Sequence, residues 1–123
     1  MTTKPGLALM LSIAISTLFT SQALAESDSI RQMAKIVMQL NHHPGKQDKQ
    51  LLNNIAEKGS VAERSIASAL LNMNHKVSPN DKARLMEISS NKDLPENTRE
   101  LAMIVSKINH QASSADKQKL QGM

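Results

Sequence analysis

The feature that most constrains the fold of this chain is a threefold internal repeat. The dipeptide Asn-His recurs at Asn41-His42, Asn74-His75 and Asn109-His110, at intervals of 33 and 35 residues. An Asp-Lys pair begins six residues after each His, at Asp48, Asp81 and Asp116. A period in this range is typical of repeated two-helix units that bury each other's apolar faces. The sequence therefore predicts an all-α fold built from three αα-hairpin repeats.

The segment before each Asn-His carries apolar residues at helical spacing. Aligning the three copies gives four apolar columns: Met33, Ile66 and Leu101; Ala34, Ala67 and Ala102; Val37, Leu70 and Val105; and Leu40, Met73 and Ile108. These columns stand at positions i, i+1, i+4 and i+7, which is one stripe of an α-helix. A further apolar column, Ile36, Ala69 and Ile104, lies off the stripe. We therefore expect this helix to be packed on two sides.

Capping residues mark the helix boundaries. Gly45, Ser78 and Ser113 are candidate N-caps three residues ahead of the repeated Asp, and Ser60 with Glu63 matches a capping box. The predicted helices span residues 28–42, 46–58, 61–75, 79–90, 95–110 and 114–121. Paired as long-then-short hairpins, they resemble HEAT or tetratricopeptide repeats in architecture alone, because the tetratricopeptide residue pattern is absent. Either a short solenoid or a compact helical bundle fits, as a single domain over residues 26–123.

The first 25 residues have the organisation of a cleavable secretory signal peptide. Lys4 gives a short basic region, residues 7–19 are largely apolar, and Ala23-Leu24-Ala25 is a small-x-small cleavage site. The apolar run is shorter than the ~20 residues that span a bilayer, which argues against a membrane anchor. We therefore expect cleavage after Ala25 and export to the periplasm, with no stable anchor afterwards.

Composition narrows the functional classes. Removing the leader takes away Lys4 from a net charge of +4 and Phe19, which is the one aromatic residue of the chain. A mildly basic chain without aromatic side chains lacks the usual means of binding nucleic acid. The sequence has no Cys, no Gly-rich phosphate loop and no His-Glu-x-x-His motif. It therefore predicts neither an enzyme nor a cofactor-dependent protein.

The repeated Asn-His has a structural and a metal-binding interpretation. In the structural one, Asn41, Asn74 and Asn109 end their helices in a left-handed conformation and hold the turns as a ladder. In the alternative, an exported copper or zinc protein uses His42, His43, Met38 and His75, whose side chains must then converge. Because packed helices lie ~8–10 Å apart, equivalent imidazoles would not share one ion. The sequence therefore favours the structural interpretation.

A third repeated column consists of Arg31, Arg64 and Arg99, near the start of each long helix. In a stack these side chains would form a row that grips an acidic partner, or each would complement the carbonyl end of the neighbouring short helix. Helical repeats generally present extended binding surfaces. We therefore expect a periplasmic accessory, adaptor or inhibitor module for an envelope protein, with homo-oligomerisation through exposed stack ends as a further expectation.

Overall fold

The computed structural model describes residues 27–123, which form six helices and no strand. The predicted signal peptide and its cleavage site lie outside the described residues. The helices are α1 (Asp28–Gln39), α2 (Lys46–Lys58), α3 (Val61–Asn72), α4 (Pro79–Ser90), α5 (Glu96–Ser106) and α6 (Ser114–Gln121). None of the helices in this part of the chain has both the length and the apolar character needed to cross a bilayer. The all-α prediction is confirmed.

Local capping sets the helix starts. The Ser60 hydroxyl accepts from the Glu63 amide while the Glu63 carboxylate accepts from the Ser60 amide, so the predicted capping box is present. Ser78 and Ser113 accept in the same way from Asp81 and Asp116. Each bond satisfies an amide that has no partner within its own helix. As a result, five of the six predicted starts agree with the structure and the start of α5 differs by one residue.

The ends of α1, α3 and α5 differ from the prediction. These helices end at Gln39, Asn72 and Ser106, and the Asn-His pairs lie beyond them in the turns. Helices α1 and α3 are therefore no longer than α2 and α4, so the predicted alternation of long and short helices was wrong for the first two units, and only α5, with 11 residues, is longer than the helix that follows it, α6, with eight. The turns leave the helical path because their backbone groups bond to each other across the molecule, as described below.

The helices divide into an inner and an outer set. Inner helices α1, α3 and α5 each bury at least five side chains, whereas outer helices α2, α4 and α6 each bury two. The four aligned columns and the off-stripe column Ile36, Ala69 and Ile104 are all buried. The inner helices are thus packed on two sides, as predicted, and the outer helices cover them.

The helices close into a ring. All three inner helices contact one another, which a linear stack would not allow for the first and the last. Each outer helix packs most extensively on the inner helix that follows it, α2 on α3 and α4 on α5, and α6 packs on α1. The hairpin pairing is therefore shifted by one helix from the predicted one. Of the two predicted arrangements, the contacts are those of the compact bundle.

Candidate metal centre

Each Asn-His turn places its histidine in the left-handed backbone region. His42, His75 and His110 have φ values of 72°, 70° and 70°, and they are the non-glycine residues with positive φ in the described part of the chain. The prediction that Asn would adopt this conformation was wrong by one residue. His shares with Asn and Asp an enrichment in this region, although every side chain there has a steric cost. Because all three turns share this costly backbone conformation, other interactions must stabilise them.

A closed cycle of backbone hydrogen bonds holds the three turns together. The amide of His42 donates to the carbonyl of His110 at 2.6 Å, that of His110 to His75 at 2.7 Å, and that of His75 to His42 at 3.1 Å. Each histidine therefore donates once and accepts once. The cycle joins residues that are 33 to 68 positions apart, and it fixes the turns around one point at the end of the bundle.

The three imidazoles converge at the same point. Their Nδ1 atoms lie 2.9 Å (His42 to His75), 3.0 Å (His42 to His110) and 3.1 Å (His75 to His110) apart. The rings meet edge to face, with centroids 4.8–4.9 Å apart. All three residues are exposed to solvent. We call His42, His75 and His110 the trihistidine cluster.

Hydrogen bonding alone does not satisfy the trihistidine cluster. In its ring plane each Nδ1 has one site, which carries either a proton or a lone pair. With three atoms and two states, at least two neighbours must be alike, so they face each other proton to proton or lone pair to lone pair. The three contacts of about 3 Å therefore cannot all be hydrogen bonds. A single cation that accepts all three lone pairs removes the conflict.

The spacing of the cluster suits a metal ion. With the nitrogens 2.9–3.1 Å apart, an ion ~2.1 Å from each would lie ~1.2 Å above their plane, with N–metal–N angles of ~90°. Angles near 90° match one face of a six-coordinate site. A tetrahedral zinc site requires the nitrogens to be ~0.4 Å further apart. Imidazole is a good ligand for zinc, copper, iron and nickel ions.

The repeated carboxylates are occupied elsewhere. Asp81 and Asp116 are buried, and Asp48 is half-buried. Asp81 accepts a hydrogen bond from the side-chain amide of Asn72, Nδ2, at 3.4 Å, and Asp116 pairs with Lys107 at 3.6 Å. These groups lie in the first turns of the outer helices, where negative charge complements the helix dipole. They do not belong to the group of converging ligands.

The metal-ligand set predicted from sequence coincides with the cluster at two residues. His42 and His75 converge as that alternative required, whereas His43 is outside the group and its Nδ1 lies 3.0 Å from the Pro44 carbonyl. Met38 is half-buried and packs against the hydrophobic core. The third member is His110, which the set omitted. The argument from helix spacing was wrong because the imidazoles meet at turns, where the chains approach more closely than helix axes do.

The repeated asparagines and arginines occupy other places. Asn41, Asn74 and Asn109 are exposed, and the hydrogen bonds between turns belong to the neighbouring histidines. The arginines lie in the first turns of the inner helices, at the end of the bundle away from the cluster. Arg31 pairs with Asp28 at 3.7 Å, and Arg99 donates to the Leu94 carbonyl at 3.1 Å and is half-buried. Arg64 is exposed.

Comparisons with protein-family models, with curated proteins and with solved structures find no match to this chain. The site is therefore interpreted from its own geometry.

Proposed function

We propose that this protein binds one divalent transition-metal ion through the Nδ1 atoms of His42, His75 and His110. The observation that carries the proposal is the set of three Nδ1 atoms within 3.1 Å of one another, which cannot all hydrogen bond. The backbone cycle adds support, because it positions the ligands before any ion binds. Preorganised ligands lose little conformational entropy on binding.

The number of protein ligands distinguishes this site from a structural zinc site. Structural zinc sites generally have four protein ligands and are closed, whereas three ligands leave positions open for exchangeable groups. The exposure of the cluster agrees with an ion that enters and leaves. We therefore propose a role in holding or carrying a metal ion in the predicted exported compartment.

Isothermal titration of the untagged protein with Ni²⁺, Co²⁺, Zn²⁺ and Cu²⁺ tests the proposal. We expect one ion per chain, and we expect His75→Ala to weaken binding by at least ~100-fold because one of three ligands is lost. His43→Ala is the matched control, since it removes a neighbouring imidazole outside the cluster. Equal affinity in the parent and His75→Ala, or equal loss in both variants, would overturn the proposal.

The sequence-based expectation of an adaptor for an envelope protein stays a prediction. Two of its three arginines, Arg31 and Arg99, interact within the chain, so the column is less available to a partner than the sequence suggested. The expected self-association rested on apolar stack ends. Within residues 27–123 the packing of α6 on α1 covers the ends of the repeat array, so that physical argument no longer applies.

A further inference from the structure

A basic cavity adjoins the trihistidine cluster. It has a volume of about 260 Å³, and Lys76, Lys82, Lys107 and Asn109 are among its lining residues. Lys76 directly follows His75, and Asn109 directly precedes His110. Lys76 and Asn109 pair with each other in an isolated antiparallel β-bridge. The cavity therefore lies at the flank of the hydrogen-bonded turns.

The charge in this cavity is positive. Its three lysines are exposed, and no Asp or Glu is among the described residues that line it. Lys107 pairs with Asp116 at 3.6 Å, but half of its side chain, 51%, remains accessible. The other repeated aspartates are at least half-buried. These lysines would repel a divalent cation bound at the adjacent trihistidine cluster. An anion bound between the cation and the lysines would offset that repulsion.

Resting on the proposed metal function, we infer that the bound ion takes a dicarboxylate as its exchangeable ligand, which bridges the ion and the cavity lysines. One carboxylate occupies the open face of the metal, and the other lies in the cavity beside Lys76, Lys82 and Lys107. Carboxylate oxygen is an ordinary ligand for these ions, and lysine ammonium groups donate charge-assisted hydrogen bonds to it. A dianion neutralises both centres, whereas a monocarboxylate reaches one of them.

The test uses Co²⁺-loaded protein, malonate as the dicarboxylate and acetate as the monocarboxylate. The visible absorption of Co²⁺ responds to a change in its ligands, so a titration reports whether the anion reaches the metal. We expect malonate to shift the spectrum saturably and to bind at least ~10-fold more tightly than acetate, because attraction to the lysines adds to coordination.

Variants of the cavity lysines and of distant control lysines test whether malonate binds in the cavity. Replacing Lys76, Lys82 and Lys107 by Gln is expected to weaken malonate binding ~10-fold with Co²⁺ affinity not reduced, since each exposed charge contributes modestly. The double variant Lys76→Gln/Lys82→Gln keeps the pair between Lys107 and Asp116, and a ~5-fold loss is expected. The control changes the exposed residues Lys35, Lys58 and Lys92 to Gln, which alters net charge equally away from the cavity.

The outcomes separate the two proposals. Failure of Co²⁺ and of the other three ions to bind overturns the metal function and this inference with it. Co²⁺ binding with a spectrum that malonate leaves unchanged overturns the inference alone. Equal losses in the cavity and control triple variants also overturn it, because net charge would then account for the effect.

Discussion

At the residue scale, each histidine of the cluster combines two properties that usually occur apart. Its backbone adopts a conformation that glycine would adopt without strain, while its imidazole faces two others at about 3 Å. Glycine would relieve the backbone but remove the ligand. Retaining histidine at all three turns agrees with a function for the side chain that offsets the conformational cost.

Substitutions at His75 separate these two properties. We expect His75→Ala to be less stable than His75→Gly by about 1 kcal/mol, because alanine has the left-handed steric penalty and glycine does not. Both variants keep the amide that donates to His42, and both lose the imidazole. Urea unfolding of the metal-free proteins measures the difference. An alanine variant as stable as the glycine variant would show that the backbone at this turn relaxes.

The sequence predicted part of this site. The repeated histidines and their spacing are visible directly, and His42 and His75 were recognised as candidate ligands. Their convergence was not predictable from local pattern, because it depends on hydrogen bonds between residues 33 to 68 positions apart. The threefold recurrence of Asn-His was the signal for His110, since this residue occupies the turn equivalent to those of His42 and His75.

At the element scale, the helix starts and the ends of α2, α4 and α6 were predictable, whereas the ends of α1, α3 and α5 were not. Four starts depend on a serine that accepts from the amide three positions later, and those of α2 and α5 follow Gly45 and Pro95, all of which the sequence displays. The ends of α1, α3 and α5 depend on the cycle of hydrogen bonds between turns. Long-range bonding therefore ended these helices three to four residues before the predicted ends.

The N-cap of α2 offers a stabilising change. Gly45 provides no side-chain cap, whereas its counterparts Ser78 and Ser113 do. A Cβ at Gly45 would meet its nearest neighbour, Asp48 Oδ2, at 3.9 Å, so there is room for a side chain. We expect Gly45→Ser to raise the free energy of unfolding by about 0.5–1 kcal/mol, through the added cap and a less flexible unfolded chain.

Gly59→Ser is the contrasting control, measured by the same thermal or urea unfolding. A Cβ there would lie 2.8 Å from the Ile55 carbonyl and 2.9 Å from Glu63 Cβ, so the backbone must shift. We expect this variant to be less stable than the parent. Similar effects from both substitutions would contradict the assignment of Gly45 as an uncapped but permissive start.

At the scale of the whole molecule, the ring makes the last helix a structural element of the core. Helix α6 has eight residues, yet Leu120 is buried and belongs to the same hydrophobic cluster as Leu52 and Leu85. In an open solenoid a short terminal helix would fray readily, because it would contact one neighbour. Its packing on α1 gives it the position that α2 and α4 have against α3 and α5.

Truncation of Leu120 tests ring closure. We expect Leu120→Ala to lower the free energy of unfolding by about 2–4 kcal/mol, similar to Leu85→Ala, because each removes a buried side chain from the common core. Exposed Gln118→Ala on the same helix should have little effect. Urea unfolding gives the three values. A Leu120→Ala cost within error of that of Gln118→Ala would show that α6 is not part of the cooperative unit.

The packing of α6 on α1 also brings the two ends of the described chain to the side of the bundle where Gly59 and Ser60 join α2 to α3. The gap between Gln121 and Asp28 therefore corresponds to a connection that is present elsewhere in the ring. The order of the helices along the polypeptide is therefore separable from their positions in the ring. A circular permutant that joins these ends and opens between Asn91 and Pro95 would retain the same neighbours for every helix, and each third of the ring would still contribute one imidazole.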